Sequence, residues 1–279
     1  MALDAIRLFD GAMLPRLGLG TWRMGESRAR RADEIAALRL GLDLGVTLID
    51  TAEMYGAGGA EEIVAEAIRG RRREVFVVTK FYPHHASRAA LERACEGSLK
   101  RLDIDAIDLY LLHWRGDVPF AETVATLERL AAAGKIRRWG VSNLDVADLE
   151  DLATIDRGGR VAANQVLYSL TQRGIEFDLL PWCAKRHVPV MAYSPLDQGA
   201  IASNAKLRAI ARRRELAPAQ LALAWVLRDP NIVAIPKATR LEHVRANHAA
   251  AAVTLDAATL AELDAAFPAP RRKTPLAMA

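Results

Sequence analysis

The sequence predicts a (β/α)8 TIM barrel with an N-terminal β-hairpin and one extra C-terminal helix. Three observations carry this expectation. Short apolar or β-branched runs alternate with longer segments of helical period, as in βα units around a parallel sheet. The alternation occurs eight times. The chain has 279 residues, and one such barrel needs roughly 250. Residues 1–279 therefore read as one barrel domain. An open doubly wound sheet is the competitor. It would need a Gly-rich turn opening a helix, whereas Leu17-Gly18-Leu19-Gly20-Thr21 runs into Trp22 and Arg23.

At the N-terminus, Ile6-Arg7-Leu8-Phe9 and Met13-Leu14-Pro15 flank Asp10-Gly11, a dipeptide suited to a tight hairpin that would plug the lower mouth of the barrel. Strands are expected at 17–21, 47–50, 75–80, 108–113, 139–142, 163–166, 190–194 and 233–236. Helices are expected at 32–45, 60–70, 88–102, 121–134, 145–155, 176–187, 217–228 and 241–250. The third carries Leu91, Cys95, Ser98, Leu99 and Leu102 on one face, the stripe of an amphipathic helix. Residues 255–267 read as the extra helix and 268–279 as a short Pro- and base-rich tail.

Composition removes several classes of function. With 51% hydrophobic and 26% charged residues the chain is a folded globular protein, not a disordered one. The formal charge is +4, and arginine supplies most of the basic residues, only seven being lysine. The clusters Arg28, Arg30, Arg31, then Arg71, Arg72, Arg73, then Arg212, Arg213, Arg214 flank helical patterns, where solvated helix ends explain them. Aromatic residues make up 6%, too few to interleave with those clusters, so no nucleic-acid partner is expected. Cys95 and Cys183 have no His or Cys at ligand spacing, so neither a disulfide framework nor a metal site is indicated. No apolar stretch approaches the roughly 18 residues needed to span a bilayer, and the N-terminus lacks a basic start followed by an apolar run. The expectation is a cytoplasmic protein without a membrane partner, a monomer or weak oligomer.

In a barrel of this kind the chemistry lies at the C-terminal ends of the strands. Three successive runs close on ionisable residues: Leu48-Ile49-Asp50, Val77-Val78-Thr79-Lys80 and Tyr110-Leu111-Leu112-His113, with Tyr55 in the loop after Asp50. A phenol has a reference pKa near ~10, and a nearby ammonium favours its ionised form. Two unit charges at about 4 Å interact by roughly 4 kcal/mol at an effective dielectric of 20. Lys80 is thus expected to lower the Tyr55 pKa, Asp50 to anchor Lys80, and His113 to orient a polar substrate oxygen. The set suits proton donation to a carbonyl oxygen, a step worth about 10²–10⁴-fold in rate. Singly, each residue has an ordinary structural role. Four of them at one rim of an apolar barrel do not, because such a rim is costly to bury.

The order Asp50, Tyr55, Lys80, His113 resembles the aldo-keto reductase family. Thr47-Leu48-Ile49-Asp50-Thr51-Ala52-Glu53-Met54-Tyr55-Gly56 with Glu61 is similar to its first signature. Ser98-Leu99-Lys100-Arg101-Leu102 through Asp108-Leu109-Tyr110-Leu111-Leu112-His113-Trp114 is similar to its second. The resemblance implies an eight-unit barrel, a nicotinamide dinucleotide cofactor and Tyr55 as proton donor. It implies that Ser142, Asn143 and Gln165 hold the nicotinamide carboxamide, with Gly20, Thr21, Trp22 and Asp50 alongside, and that Tyr193 stacks on the ring. Ser194, Pro195, Leu196 and Gln198 would approach the pyrophosphate. Ile235, Pro236, Lys237, Ala238, Thr239 and Arg240, with His243 and Asn247, resemble the adenosine-phosphate site. Lys237, Thr239 and Arg240 at a helix N-terminus suit a 2′-phosphate, so NADPH is the implied cofactor. His243, Ala238 and Ala246 depart from the pattern of many relatives and leave NADH use open.

The substrate wall is expected from Trp22, Met54, Tyr55, His113 and Trp114. Segments 115–120 and 268–279 are short beside those of larger family members, which implies an open mouth and broad specificity for small carbonyl compounds. Ser194-Pro195-Leu196-Asp197-Gln198 and Pro268-Ala269-Pro270 are similar to short bacterial reductases of methylglyoxal and related 2-oxoaldehydes. Two other readings stay open at this point. One is a cofactor-binding scaffold subunit of the same fold, like the potassium-channel β subunits. The other is a barrel that binds a phosphorylated metabolite without redox chemistry, which leaves Ser142, Asn143 and Gln165 without a task.

Overall fold

In the computed structural model, which describes residues 3–278, the chain opens with an antiparallel hairpin of β1 (Ala5–Arg7) and β2 (Met13–Pro15). Met1, Ala2 and Ala279, which the one-domain reading includes, lie outside the described residues. The turn is closed by the Gly11 N–H donating to the Leu8 carbonyl at 2.9 Å. Gly11 sits at φ +86°, a conformation that costs a residue without Cβ little.

Eight parallel strands follow in chain order: β3 (Gly18–Gly20), β4 (Leu48–Asp50), β5 (Phe76–Phe81), β6 (Leu109–Leu112), β7 (Trp139–Ser142), β8 (Asn164–Leu167), β9 (Val190–Tyr193) and β10 (Ile232–Ala234). Each pairs with the next, and parallel bridges Leu17 to Ala234 and Gly20 to Lys237 join the last strand to the first. These bridges close the barrel, and among the described residues no long barrel edge is left to template pairing with another chain.

Alternation along the strands decides what faces the barrel axis. Leu48, Val78, Leu109, Leu111, Met191 and Val233 form one buried cluster with Leu8 and Leu14 of the hairpin. Ile49, Val77, Tyr110, Val141, Val166 and Ala192 belong to the other cluster, between strands and helices. The hairpin therefore plugs the lower end of the barrel, as expected. The same parity turns Asp50, Lys80, His113, Ser142, Gln165 and Tyr193 inward at the upper end. Gly18 and Gly20 face inward on β3, and a Cβ on Gly18 would lie 2.3 Å from a methyl of Leu48. That strand can approach its neighbours only because it lacks side chains there.

The helices α1 (Arg31–Asp43), α2 (Gly59–Ile68), α3 (Arg88–Leu102), α4 (Phe120–Ala132), α5 (Val146–Ala153) and α6 (Leu179–Lys185) return the chain between strands. The buried positions of α3 include Leu91, Cys95, Ser98, Leu99 and Leu102, the face read from its period. Asp145 caps α5 by accepting the Asp148 N–H at 3.0 Å, and Asp148 answers with a reciprocal bond. After β9 the chain forms α7 (Ala205–Arg213), which the sequence reading did not anticipate, before α8 (Pro218–Val226). Its signals are present: Asn204 accepts the Leu207 N–H at 3.2 Å, and Leu207, Ile210 and Ala211 form the buried stripe. The basic run Arg212, Arg213, Arg214 at its end masks them. The chain then passes through α9 (Leu241–Ala250) and the extra helix α10 (Ala257–Ala266). No helix among the described residues is long and apolar enough to cross a membrane.

Candidate active site

The ammonium of Lys80 is fully buried and lies at the centre of the polar layer. Its three protons have three acceptors: Asp50 Oδ2 at 2.8 Å, the Thr51 carbonyl at 2.8 Å and Tyr55 Oη at 3.3 Å. An ammonium has three donors, so this one is satisfied. Asp50 is anchored on its other side, where Gln165 Nε2 donates to Oδ1 at 2.7 Å. Burying two charges costs several kcal/mol per ion, and pairing with additional hydrogen bonds offsets that cost. Burial opposes the charge on Lys80, but Asp50 and the phenol outweigh it, so the ammonium pKa is raised.

Because Lys80 donates to Tyr55 Oη, the phenol keeps its own proton free to point elsewhere. The Tyr55 pKa is raised, chiefly by burial; the Lys80 charge pulls it down without winning. This corrects the expectation that Lys80 would bring the phenol below its ordinary value. Tyr55 is therefore a protonated donor at neutral pH. Its loop departs from any regular helix, with Gly56 at φ 57° and Ala57 at φ 52°, followed by Gly58 at φ 93°. Gly25 packs on this segment so closely that a Cβ would lie 2.2 Å from the Gly59 carbonyl carbon.

The His113 ring stands edge-on to Tyr55, with centroids 6.0 Å apart and planes at 76°. Its pKa is pulled down to about 3, first by burial and then by the Lys80 charge, so the imidazole is neutral. Nδ1 is buried with no hydrogen-bond partner among the described residues. No direct hydrogen bond joins His113 to Tyr55; both face the same cleft instead.

That cleft has a volume of about 610 Å³. Every residue expected from the sequence lines it except Lys80, which lies beneath its floor. Trp22, Met54 and Trp114 stand beside Tyr55 and His113, with the Trp114 ring 4.9 Å from that of His113. Ser142 Oγ donates to the Gln165 carbonyl at 2.8 Å, and Asn143 Nδ2 to the His113 carbonyl at 3.1 Å. Tyr193 Oη donates to Asn143 Oδ1 at 3.0 Å. Asn143 and Ser194 have φ of 56° and 47°, and Asp197, Gln198 and Gly199 continue the left-handed backbone at 48°, 55° and 94°. Such conformations cost energy in non-glycine residues and collect at ligand-binding segments. Asp197 holds this loop through hydrogen bonds from Ser169 and Thr171.

At the far end, Gly20, Thr21, Ile235, Pro236, Ala238, Thr239, His243 and Asn247 line the cleft with Lys237 and Arg240. Arg240 is the N-cap residue of α9. Lys237 and Arg240 have no carboxylate within salt-bridge distance among the described residues. The Lys237 pKa is lowered, first by burial. These donors fit a dinucleotide. Gln165 donates to Asp50 and its side-chain oxygen has no hydrogen-bond partner among the described residues, which leaves it as an acceptor for an amide N–H. The unpaired cations at a helix N-terminus suit a phosphate dianion.

The cleft also contains residues that sequence reasoning missed. Arg23 lines it with its guanidinium 4.5 Å over the Trp22 ring. Its place directly after Trp22 was a usable signal. Ala202, Ala219 and Met278 line it as well, and Met278 belongs to the tail. The tail is tied down by Lys273, 3.1 Å from Asp178 and 3.9 Å from Asp145. The tail, though short, thus reaches the cleft.

Residues 16–267 match the model of the Aldo/keto reductase family. Methylglyoxal reductase YeaE of Escherichia coli is 53% identical, with 100% of both chains covered. Glyoxal reductase of Bacillus subtilis is 34% identical over 86% of this chain and 84% of that protein. A crystal structure of an aldo-keto reductase from Klebsiella pneumoniae in complex with NADPH has a TM-score of 0.97 and 52% identity, covering 100% of both chains. The chain belongs to the aldo/keto reductase family.

Proposed function

We propose that this protein is an NADPH-dependent reductase of small aldehydes and ketones, with methylglyoxal and related 2-oxoaldehydes as its substrate class. One observation carries the proton-transfer part: Lys80 donates to Tyr55 Oη at 3.3 Å at the floor of the cleft, leaving the phenol proton for a substrate oxygen. When bound, NADPH supplies the hydride that reduces the carbonyl carbon. Tyr55 donates the proton, and neutral His113 orients the carbonyl oxygen beside it. Lys80 stabilises the charge that develops on the phenol, where low local polarity strengthens that interaction. Asp50 holds Lys80 in place. Ser142, Asn143 and Gln165 hold the carboxamide, Tyr193 stacks on the ring, and Ser194, Leu196 and Gln198 receive the pyrophosphate. Lys237, Thr239 and Arg240 receive the 2′-phosphate, which favours NADPH over NADH. Trp22, Met54 and Trp114 exclude water from the reacting atoms.

The methylglyoxal assignment rests on the similarity to the Escherichia coli protein and on a cleft whose apolar wall suits small substrates. We further read the chain as one domain acting in the cytoplasm as a monomer or weak oligomer. The experiment is a carbonyl panel with NADPH and NADH on the wild type and on Tyr55→Phe. Tyr55→Phe should bind NADPH normally in a fluorescence titration and lose most reduction. Undiminished turnover by that variant would overturn the role of Tyr55. A wild type that binds NADPH but does not turn over would favour the scaffold reading.

A further inference from the structure

Beneath the catalytic pair lies a second buried charge that the proposed reaction does not use. Glu61, on the first turn of α2, is fully buried. Its Oε1 accepts the Thr79 hydroxyl at 2.6 Å, and its Oε2 accepts Arg101 Nε at 2.6 Å. Thr79 immediately precedes Lys80 on β5. Successive strand residues face opposite sides, so Lys80 points to the barrel axis while Thr79 points back into the helix layer. Arg101, on α3, lies against the loop that follows Tyr55. A Cβ on Gly58 would sit 2.5 Å from Arg101 Cδ and 2.7 Å from its Nε.

One carboxylate therefore reaches both halves of the Tyr55–Lys80 contact. Through Thr79 it grips the strand that carries Lys80. Through Arg101 it backs the left-handed run Gly56, Ala57, Gly58 that carries Tyr55 into the cleft. Gly25 closes the loop from the other side, where a Cβ on Gly56 would lie 2.9 Å from the Met24 carbonyl. With both faces blocked, the loop has one seat, and Arg101 fixes its height above β5. An ion pair between a buried carboxylate and a partly exposed guanidinium adds little net stability over an apolar substitute, but it can specify a geometry.

We propose that Glu61, with Thr79 and Arg101, is a positioning residue for the reaction: the three set the separation of Tyr55 Oη and Lys80 Nζ without touching either substrate or cofactor. This rests on the reading of Tyr55 as proton donor. Misplacement of a reacting group by about 1 Å costs on the order of 10²-fold in rate.

The test uses paired substitutions that distinguish positioning from packing. Thr79→Val keeps the shape and removes the hydroxyl; Thr79→Ser keeps the hydroxyl and removes a methyl. Arg101→Lys retains the charge and removes the planar Nε group against Gly58. For positioning, Thr79→Val and Arg101→Lys lower kcat for methylglyoxal by about 10- to 10²-fold. Their KM for the aldehyde and Kd for NADPH then stay within about threefold, and the alkaline limb of the kcat profile moves. Thr79→Ser stays near wild type. Should Arg101→Lys fail to fold, the Thr79 pair decides alone. If Thr79→Val matches wild type while Thr79→Ser is impaired, the site is only packing and the proposal is overturned. It is equally overturned if folded Thr79→Val and Arg101→Lys both keep kcat within about twofold. Because Tyr55→Phe tests the proton donor separately, an inert Thr79 series in an enzyme that Tyr55→Phe inactivates removes the positioning role alone.

Discussion

Replacing Lys80 with methionine removes the ammonium and keeps most of the side-chain volume. At the observed 3.3 Å, a full negative charge on Tyr55 Oη is stabilised by about 5 kcal/mol at an effective dielectric of 20. If about half that charge has developed at the transition state, about 2.5 kcal/mol is lost, on the order of 10²-fold in kcat. The same change leaves Asp50 buried with only the Gln165 amide as side-chain partner. Breaking a buried pair by removing one member costs about 3–5 kcal/mol, a fall in melting temperature on the order of 10 °C. Adding Asp50→Asn removes the stranded charge. The double variant should recover most of the melting temperature and none of the lost kcat. Steady-state reduction of methylglyoxal and a thermal melt, run on both variants, separate the two effects. The reasoning is refuted if Lys80→Met keeps kcat within about threefold, or if activity returns with stability in the double variant.

The His113 pKa near 3 lies below its ordinary value, so between that pH and about 6.5 the unfolded chain binds more protons than the folded one. Stability should therefore fall as pH drops through that window, His113→Gln should flatten the fall in a pH series of melts, and kcat of the wild type should show no limb from this residue between about pH 5 and 8. Lys237→Ala and Arg240→Ala should each weaken NADPH binding on the order of tenfold and leave NADH binding nearly unchanged; fluorescence titrations that moved both cofactors equally would place the 2′-phosphate elsewhere. Truncation after Phe267 removes Met278 from the cleft and the Lys273 ion pairs. It should raise aldehyde KM several-fold and alter kcat little.

Much of this was legible in the residues. Leu48, Val78 and Leu111 share a face with Asp50, Lys80 and His113, so the parity that buries the barrel interior also aims the polar ends inward. The eight strands emerge from the same alternation. What was not legible depends on distant contacts. The net direction of the Tyr55 shift is decided by burial, which no local pattern reports. The seat of Tyr55 depends on Gly25 and Arg101, far away in the chain. The expected helix 176–187 shrinks to α6 because Gly174–Glu176 forms a separate tight turn stapled by Arg173 to Glu176. Met278 sits in a tail with no periodicity, so only the folded chain brings it to the cleft.

The hairpin and the apolar side chains stacked above it fill the barrel up to the polar layer, so the cleft rests on solid protein and opens at the upper strand ends. Ser142 and Gln165 sit at its bottom, almost wholly enclosed, while Trp22 and Trp114 stand nearer the lip, partly in solvent. A group resting on that floor is backed by packed protein beneath and meets solvent through the space beside the two tryptophans.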